Sequence, residues 1–222
     1  MYNSACDRES PVENIIGLYR SIKEIITRRV EEFQKIKDAA ESECLFAELV
    51  FCLFTPQSRA VSCWAAVERL MARHLLLEGA KRDIVREMAG VRFHHTKADN
   101  LILARRLFVV NGHILLKTIL DSFTTPYDAR DWLVANVRGM GFKEASHFLR
   151  NTGYGLDLAI LDRHILRTLC GCGSIEALPV SLNRNTYLEI EHCMQGLAEE
   201  IHIPVSHLDL VLWYRQTGDI FK

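Results

Sequence analysis

A lysine behind a pair of glycines, and an aspartate nineteen residues after it, are the side chains of this sequence best equipped for chemistry. The lysine is Lys143, in Val137-Arg138-Gly139-Met140-Gly141-Phe142-Lys143-Glu144-Ala145. The aspartate is Asp162, in Leu158-Ala159-Ile160-Leu161-Asp162-Arg163-His164-Ile165-Leu166-Arg167. Two glycines entering a helix let the backbone turn tightly and leave N–H groups pointing outward, an arrangement that attracts phosphate. An amine can attack an electrophilic carbon and stay attached as a Schiff base, provided its proton is first lost. Partial desolvation and the positive end of a helix both favour that loss. A nearby carboxylate would steady positive charge and manage protons. Plainer readings exist for each: a helix–helix turn with a glycine stop, a surface lysine touching phosphate, and an aspartate serving only as an N-cap.

The elements that must hold these residues read as helices throughout. Ser10-Pro11-Val12-Glu13 has the grammar of a helix start, with an N-cap serine, proline at the first helical position and glutamate three residues on. Ile15, Leu18, Tyr19, Ile22, Ile25, Ile26, Val30 and Phe33 continue it as an apolar stripe. Cys44–Phe54 is apolar on every side, as in a buried central helix, and Thr55-Pro56 closes it. Further helices are expected over Arg59–Leu76, Lys81–Ala89 (stopped by Gly90), Lys97–Val109 and His113–Phe123. Thr125-Pro126-Tyr127-Asp128 opens another, a long one follows near Thr186–Ile201, and Ser206-His207-Leu208-Asp209 opens the last. No run alternates with period two for long enough to predict a strand. The expected class is all-α. With no repeat or Gly/Ser linker, the chain 1–222 reads as a single unit whose helical lobes exchange segments, with its hairpin at about 133–151.

Composition narrows the setting. The 222 residues are 49% hydrophobic, enough for a sizeable core, and no apolar run is long enough to span a bilayer. Met1–Ser10 mixes charges with small polar residues, which predicts no secretory signal and a cytoplasmic protein. Seven cysteines, an odd number, fit reduced thiols better than a disulfide framework. Cys170, Cys172 and Cys193 lack the paired spacing of a zinc or iron–sulfur site, so no metal is expected. The net charge of −1 does not announce nucleic acid and requires any basic residues that bind it to cluster on one face.

The hairpin Gly139–Ala145 resembles the helix-hairpin-helix pattern G-x-G-x-K-x-A, and Asp162-Arg163-His164-Ile165-Leu166-Arg167 resembles the D-x-H-[IV]-x-R of the helix-hairpin-helix glycosylase superfamily. Phe46–Ala60, Lys143–Gly153, Leu158–Leu166 and Leu208–Lys222 are similar to the compact archaeal and bacterial 8-oxoguanine DNA glycosylase/AP lyase family, often called the second type. There is no C-terminal four-cysteine array of the iron–sulfur branch. The resemblance implies a helix-hairpin-helix glycosylase fold, two helical lobes with the active site in the cleft between them. It implies excision of 8-oxoguanine and β-elimination at the abasic site through a Schiff base on Lys143, with Asp162 as the catalytic carboxylate. Implied DNA contacts are the hairpin glycines Gly139 and Gly141, Gln57 as a gap-filling residue, and His147 (with Ser146) one turn past Lys143. Trp213 would stack on the base, Lys222 would help read it, and Phe93 is a candidate for the opposite side of the sandwich. An acceptor aimed at N7–H, a backbone carbonyl or a carboxylate, would separate the oxidised base from guanine. No cofactor is required, although freed hairpin carbonyls suit a monovalent cation as in related glycosylases. The expected partner is double-stranded DNA carrying 8-oxoguanine or abasic sites, bound by a monomer with no membrane association. Rival readings are a glycosylase for another lesion, a non-catalytic DNA-gripping module, and a helical protein-interaction domain.

Overall fold

The computed structural model describes residues 10–39 and 42–222; the signal-peptide reading of the first residues lies outside them. Eleven helices and one very short hairpin make up the described chain. It divides into two compact units. The larger takes Val30–Ile160 with Phe221–Lys222; the smaller takes Met1–Arg29, described from Ser10 on, with Leu161–Ile220.

In the larger unit the organiser is α2, Ser42–Phe54, whose residues Leu45–Phe54 are all buried. A helix without a polar face must be surrounded, and α3 (Ala60–Ala72), α5 (His94–Phe108), α6 (Leu116–Asp121) and α8 (Phe142–Asn151) pack around it. Truncating a central aromatic such as Phe51 would cost about 3–5 kcal/mol through the cavity left behind. α4 (Lys81–Glu87) lies on α5, and α7 (Pro126–Asn136) pairs with α8 across the hairpin. Thr125 caps α7, its hydroxyl accepting from the Asp128 N–H at 3.2 Å.

In the smaller unit α1 (Pro11–Ala39, which runs on into the larger unit) starts with the expected capping box. Ser10 N–H donates to Glu13 Oε2 at 2.8 Å, and Glu13 N–H to Ser10 Oγ at 3.1 Å. These bonds hold the Glu13 carboxyl below its usual pKa. α9 (Arg163–Gly171) and α10 (Arg184–Glu200) both pack on α11 (Val205–Thr217).

Several expected boundaries move. The helix expected to reach Leu76 ends at Ala72, because buried Arg105 binds the carbonyls of Leu75, Leu76 and Gly79, and burial pushes its pKa down to about 10. The helix expected over His113–Phe123 is shorter, Leu116–Asp121, and its first residues form a strand instead. Val109–Val110 (β1) pairs antiparallel with His113–Ile114 (β2) around Asn111 and Gly112, whose φ values of 52° and 77° are those of a type I′ turn. Asn-Gly is the strongest short hairpin signal, and it outweighs the helical pattern around it.

Candidate active site

In the larger unit the hairpin loop Val137–Gly141 joins α7 to α8. Gly139 has φ +86°, and a Cβ there would collide with the Asn100 side chain, so both conformation and space demand glycine. Gly141 has φ −93°, open to any residue; as N-cap its N–H donates to Glu144 Oε2 at 3.3 Å. Lys143 therefore occupies the second helical position, where the helix dipole is most positive. Its side chain is 27% exposed, and its ammonium lies 3.9 Å from Glu144 Oε1. Across the hairpin, fully buried Arg130 stacks over Phe142 at 5.4 Å and donates to Ser146 Oγ at 3.2 Å. This clamps the first turn of α8, and with it the root of the Lys143 side chain.

His147, one turn on, is buried, with its ring edge-on to Phe51 at 5.6 Å and facing the Lys222 backbone. Burial, then the charges of Lys143 and Arg150, push its pKa far below the usual imidazole value. The ring is thus neutral and enclosed. Lys222 is held nearby: its ammonium pairs with Glu48 and lies over the Trp64 ring at 3.1 Å and the Phe51 ring at 5.6 Å. The other Glu48 oxygen accepts from Asn151 Nδ2 at 3.3 Å. Glu48, Trp64 and Asn151 carry no local motif that would have marked them in the sequence.

Gln57 and Phe93 sit on two loops of this unit, both exposed and both left-handed, with φ 55° and 57°. The loops are tied together. Ser58 Oγ accepts from the Arg92 N–H and from the Lys97 ammonium, each at 3.0 Å. Lys97 also donates to the carbonyls of Phe54 (2.6 Å) and Pro56 (2.7 Å), capping α2 where Gln57 leaves it. Burial holds the Lys97 pKa below its ordinary value. Its role was invisible in sequence, since an apolar stripe with one lysine reads as a solvated position.

In the smaller unit Asp162 is the N-cap of α9. One oxygen, Oδ1, accepts from both the His164 and the Ile165 N–H at 2.8 Å, so the helix fixes the carboxylate without using Oδ2. Leu161, just before it, donates its N–H to the hydroxyl of buried Tyr187 at 3.3 Å. Trp213 is half-buried on α11, where the Thr217 hydroxyl donates to its carbonyl at 2.9 Å. Cys170, Cys172 and Cys193 also lie in this unit, half-buried, and among the described residues no cluster of His, Cys, Asp or Glu could hold a metal. Nor is any described helix long and apolar enough to cross a membrane.

A family model described as 8-oxoguanine DNA glycosylase matches residues 26–203. The 8-oxoguanine DNA glycosylase/AP lyase of Fusobacterium nucleatum is 38% identical over 205 residues, covering 92% of this chain and 94% of the relative. The crystal structure of Methanocaldococcus jannaschii 8-oxoguanine DNA glycosylase superposes with a TM-score of 0.85 at 37% identity, covering 95% of each chain. A second crystal structure of that archaeal enzyme, in complex with a 15mer DNA containing 8-oxoguanine, matches with a TM-score of 0.85 at 36% identity, covering 95% of this chain and 99% of the other.

Proposed function

Because this chain belongs to the 8-oxoguanine DNA glycosylase family, with the helix-hairpin-helix fold of that family, we propose that it excises 8-oxoguanine from DNA and then cleaves the abasic site through Lys143. The observation that carries the mechanism is the half-buried Lys143 amine at the start of α8, behind a glycine hairpin whose N–H groups suit a phosphate. The neutral amine attacks C1′ of the deoxyribose, and the N-glycosidic bond breaks with its electrons leaving on the base. Loss of one of the two protons on the attached nitrogen lets its lone pair expel O4′, which takes up a proton as the sugar ring opens, and this gives the protonated imine. The imine acidifies the C2′ proton; its removal expels the 3′ phosphate as the C3′–O bond breaks. Glu144, whose carboxylate stands 3.9 Å from the Lys143 ammonium, is a nearby group for the displaced proton. Asp162, with Oδ2 not taken by the helix, steadies the positive charge that develops on the sugar.

The base must leave the stack to be reached. Gln57 and Phe93, exposed on tied loops, are suited to fill the gap, and Phe93 has the π-face for stacking. Trp213 is assigned to the base platform and the Lys222 segment to base reading, with the N7–H of the oxidised base donating to a backbone carbonyl or carboxylate. Gly139 and Gly141 are assigned to the phosphate backbone. His147, being enclosed and neutral, supports the pocket from below. The hairpin carbonyls of Val137 and Gly141 each accept one N–H bond, from Met140 and Ala145 at 3.1 and 2.9 Å. Each keeps a second lone pair, which fits a monovalent cation that would stiffen the loop. The enzyme acts as a monomer in the cytoplasm, at the nucleoid. Borohydride reduction with an 8-oxoguanine duplex tests the reading: it predicts a covalent protein–DNA complex, and its absence with active, folded protein would overturn the reading.

A further inference from the structure

The smaller unit carries a hollow of about 290 Å³ on the flank of α9. Its walls are His164, Arg167 and Thr168 from that helix, Arg215 and Gln216 from α11, and Pro11 at the start of α1. Arg215 also borders a second hollow, about 560 Å³, with Asn14, Ser21 and Tyr214. Among the described residues no carboxylate lines either one. Arg167 and Arg215 are both exposed, and neither has an ion-pair partner among the described residues. Of this unit's described acidic residues, Glu189, Glu191, Glu199 and Glu200 lie on α10, while Glu13, two residues past Pro11, is held by Ser10 in the capping box. Two uncommitted guanidinium forks facing one hollow are an anion site, since the fork matches phosphate oxygens bidentately.

Position along the helix identifies the anion. Asp162 caps the first turn of α9 and Arg167 follows it on the same helix. At roughly 1.5 Å of rise per residue, Arg167 lies about 7–8 Å along the axis from the cap. A DNA strand running along α9 advances about 3.4 Å of duplex axis per nucleotide, so along that path the distance corresponds to about two nucleotides. We propose that the hollow between Arg167 and Arg215 is a phosphodiester-binding subsite for the DNA strand beside the lesion, about two nucleotides from the sugar served by Asp162. Gln216 adds an amide donor, and the second hollow, lined also by Gly17, Leu18 and Gly218, continues past Arg215 with the polar groups of Asn14, Ser21 and Tyr214. The subsite rests on the reading that this chain acts on DNA. It answers the objection from the net charge of −1: binding needs a local pair of cations in a hollow that no described carboxylate lines, not a basic protein.

The test is the salt dependence of duplex binding, measured for the full chain by fluorescence anisotropy on lesion-containing and undamaged duplexes. Arg167→Ala and Arg215→Ala should each weaken binding by the same factor on both duplexes. Each should lower the slope of log affinity against log salt by about 1, the signature of one lost phosphate contact. Arg167→Lys should keep the slope, and Arg184→Ala, an exposed arginine on α10, should leave it at the wild-type value. Thermal melts check that both alanine variants remain folded. Wild-type slopes in both alanine variants would overturn the subsite while leaving the glycosylase reading intact. A wild-type protein that shows neither salt-dependent binding nor borohydride trapping would overturn both.

Discussion

The ammonium of Lys222 stands 3.1 Å from the centroid of the Trp64 ring and is paired with Glu48, a residue of the central helix that is only 4% exposed. A desolvated cation over an indole contributes about 2 kcal/mol, and the carboxylate supplies the compensating charge. The Lys222 side chain is therefore committed inside the larger unit, where it fixes the end of the chain beside His147. Glu48→Gln should destabilise the fold by about 1–3 kcal/mol, the cost of depriving a buried group of its partner, read from urea melts. The same variant should lower the ratio of 8-oxoguanine excision to cleavage at a preformed abasic site, since only excision needs base reading. An unchanged ratio would place base reading away from this segment.

Lys143→Gln removes the nucleophile while leaving Gly139, Gly141 and the capping contact of Glu144 in place. Base release and strand cleavage should both disappear, and duplex affinity should survive. Gel analysis after borohydride reduction decides it: a cross-link at wild-type yield would move the nucleophile elsewhere.

Asp162→Asn retains an oxygen able to accept the His164 and Ile165 N–H bonds, so the melting temperature should scarcely change. Turnover should fall roughly 10²–10⁴-fold, the range for a positioned acid–base or electrostatic group. Asp162→Ala should lose the cap as well, at about 1 kcal/mol. Single-turnover kinetics on folded Asn variant that match wild type would leave Asp162 as a cap alone.

Lys97→Met removes the ammonium that donates to Phe54 O, Pro56 O and Ser58 Oγ while keeping the volume of the stem. Stability should drop by about 1–3 kcal/mol. Hydrogen exchange should quicken over Thr55–Arg59, and excision should slow as Gln57 loses its mount. Unaltered exchange in that loop would show that Lys97 is not what orders it.

His147 links stability to pH. Its native pKa is depressed by burial and by Lys143 and Arg150, whereas in the unfolded chain it titrates near the ordinary 6.5. Below that value the unfolded state binds a proton that the native state refuses, so stability is present above the unfolded pKa and is lost as pH falls. The slope from this one group approaches about 1.4 kcal/mol per pH unit. Denaturant melts from neutral to mildly acid pH should show it, and His147→Gln should flatten the acid limb. An equally steep limb in the variant would assign the effect to other groups.

What the sequence determined by itself is whatever depends on bonds between residues a few positions apart. The Ser10–Glu13 capping box, the Thr125 cap and the Asp162 cap are each made within three residues, so their grammar is readable in a string of letters. The buried helix ending at Phe54, apolar on every side save for Glu48, and the glycine hairpin before Lys143 are of the same kind. The Asn111-Gly112 turn was readable too, but a helical hydrophobic pattern beside it masked the signal. Only the tertiary structure decided which distant side chains complete the candidate site. Lys222 and Glu48 are 174 positions apart, and Lys97 reaches a carbonyl 43 positions away. Such pairings arise because packing around α2 brings helices together along faces, and the free energy that selects them is burial, which has no local signature. The same burial turns His147 from a candidate DNA contact into an enclosed, neutral ring, an outcome set first by what packs over it.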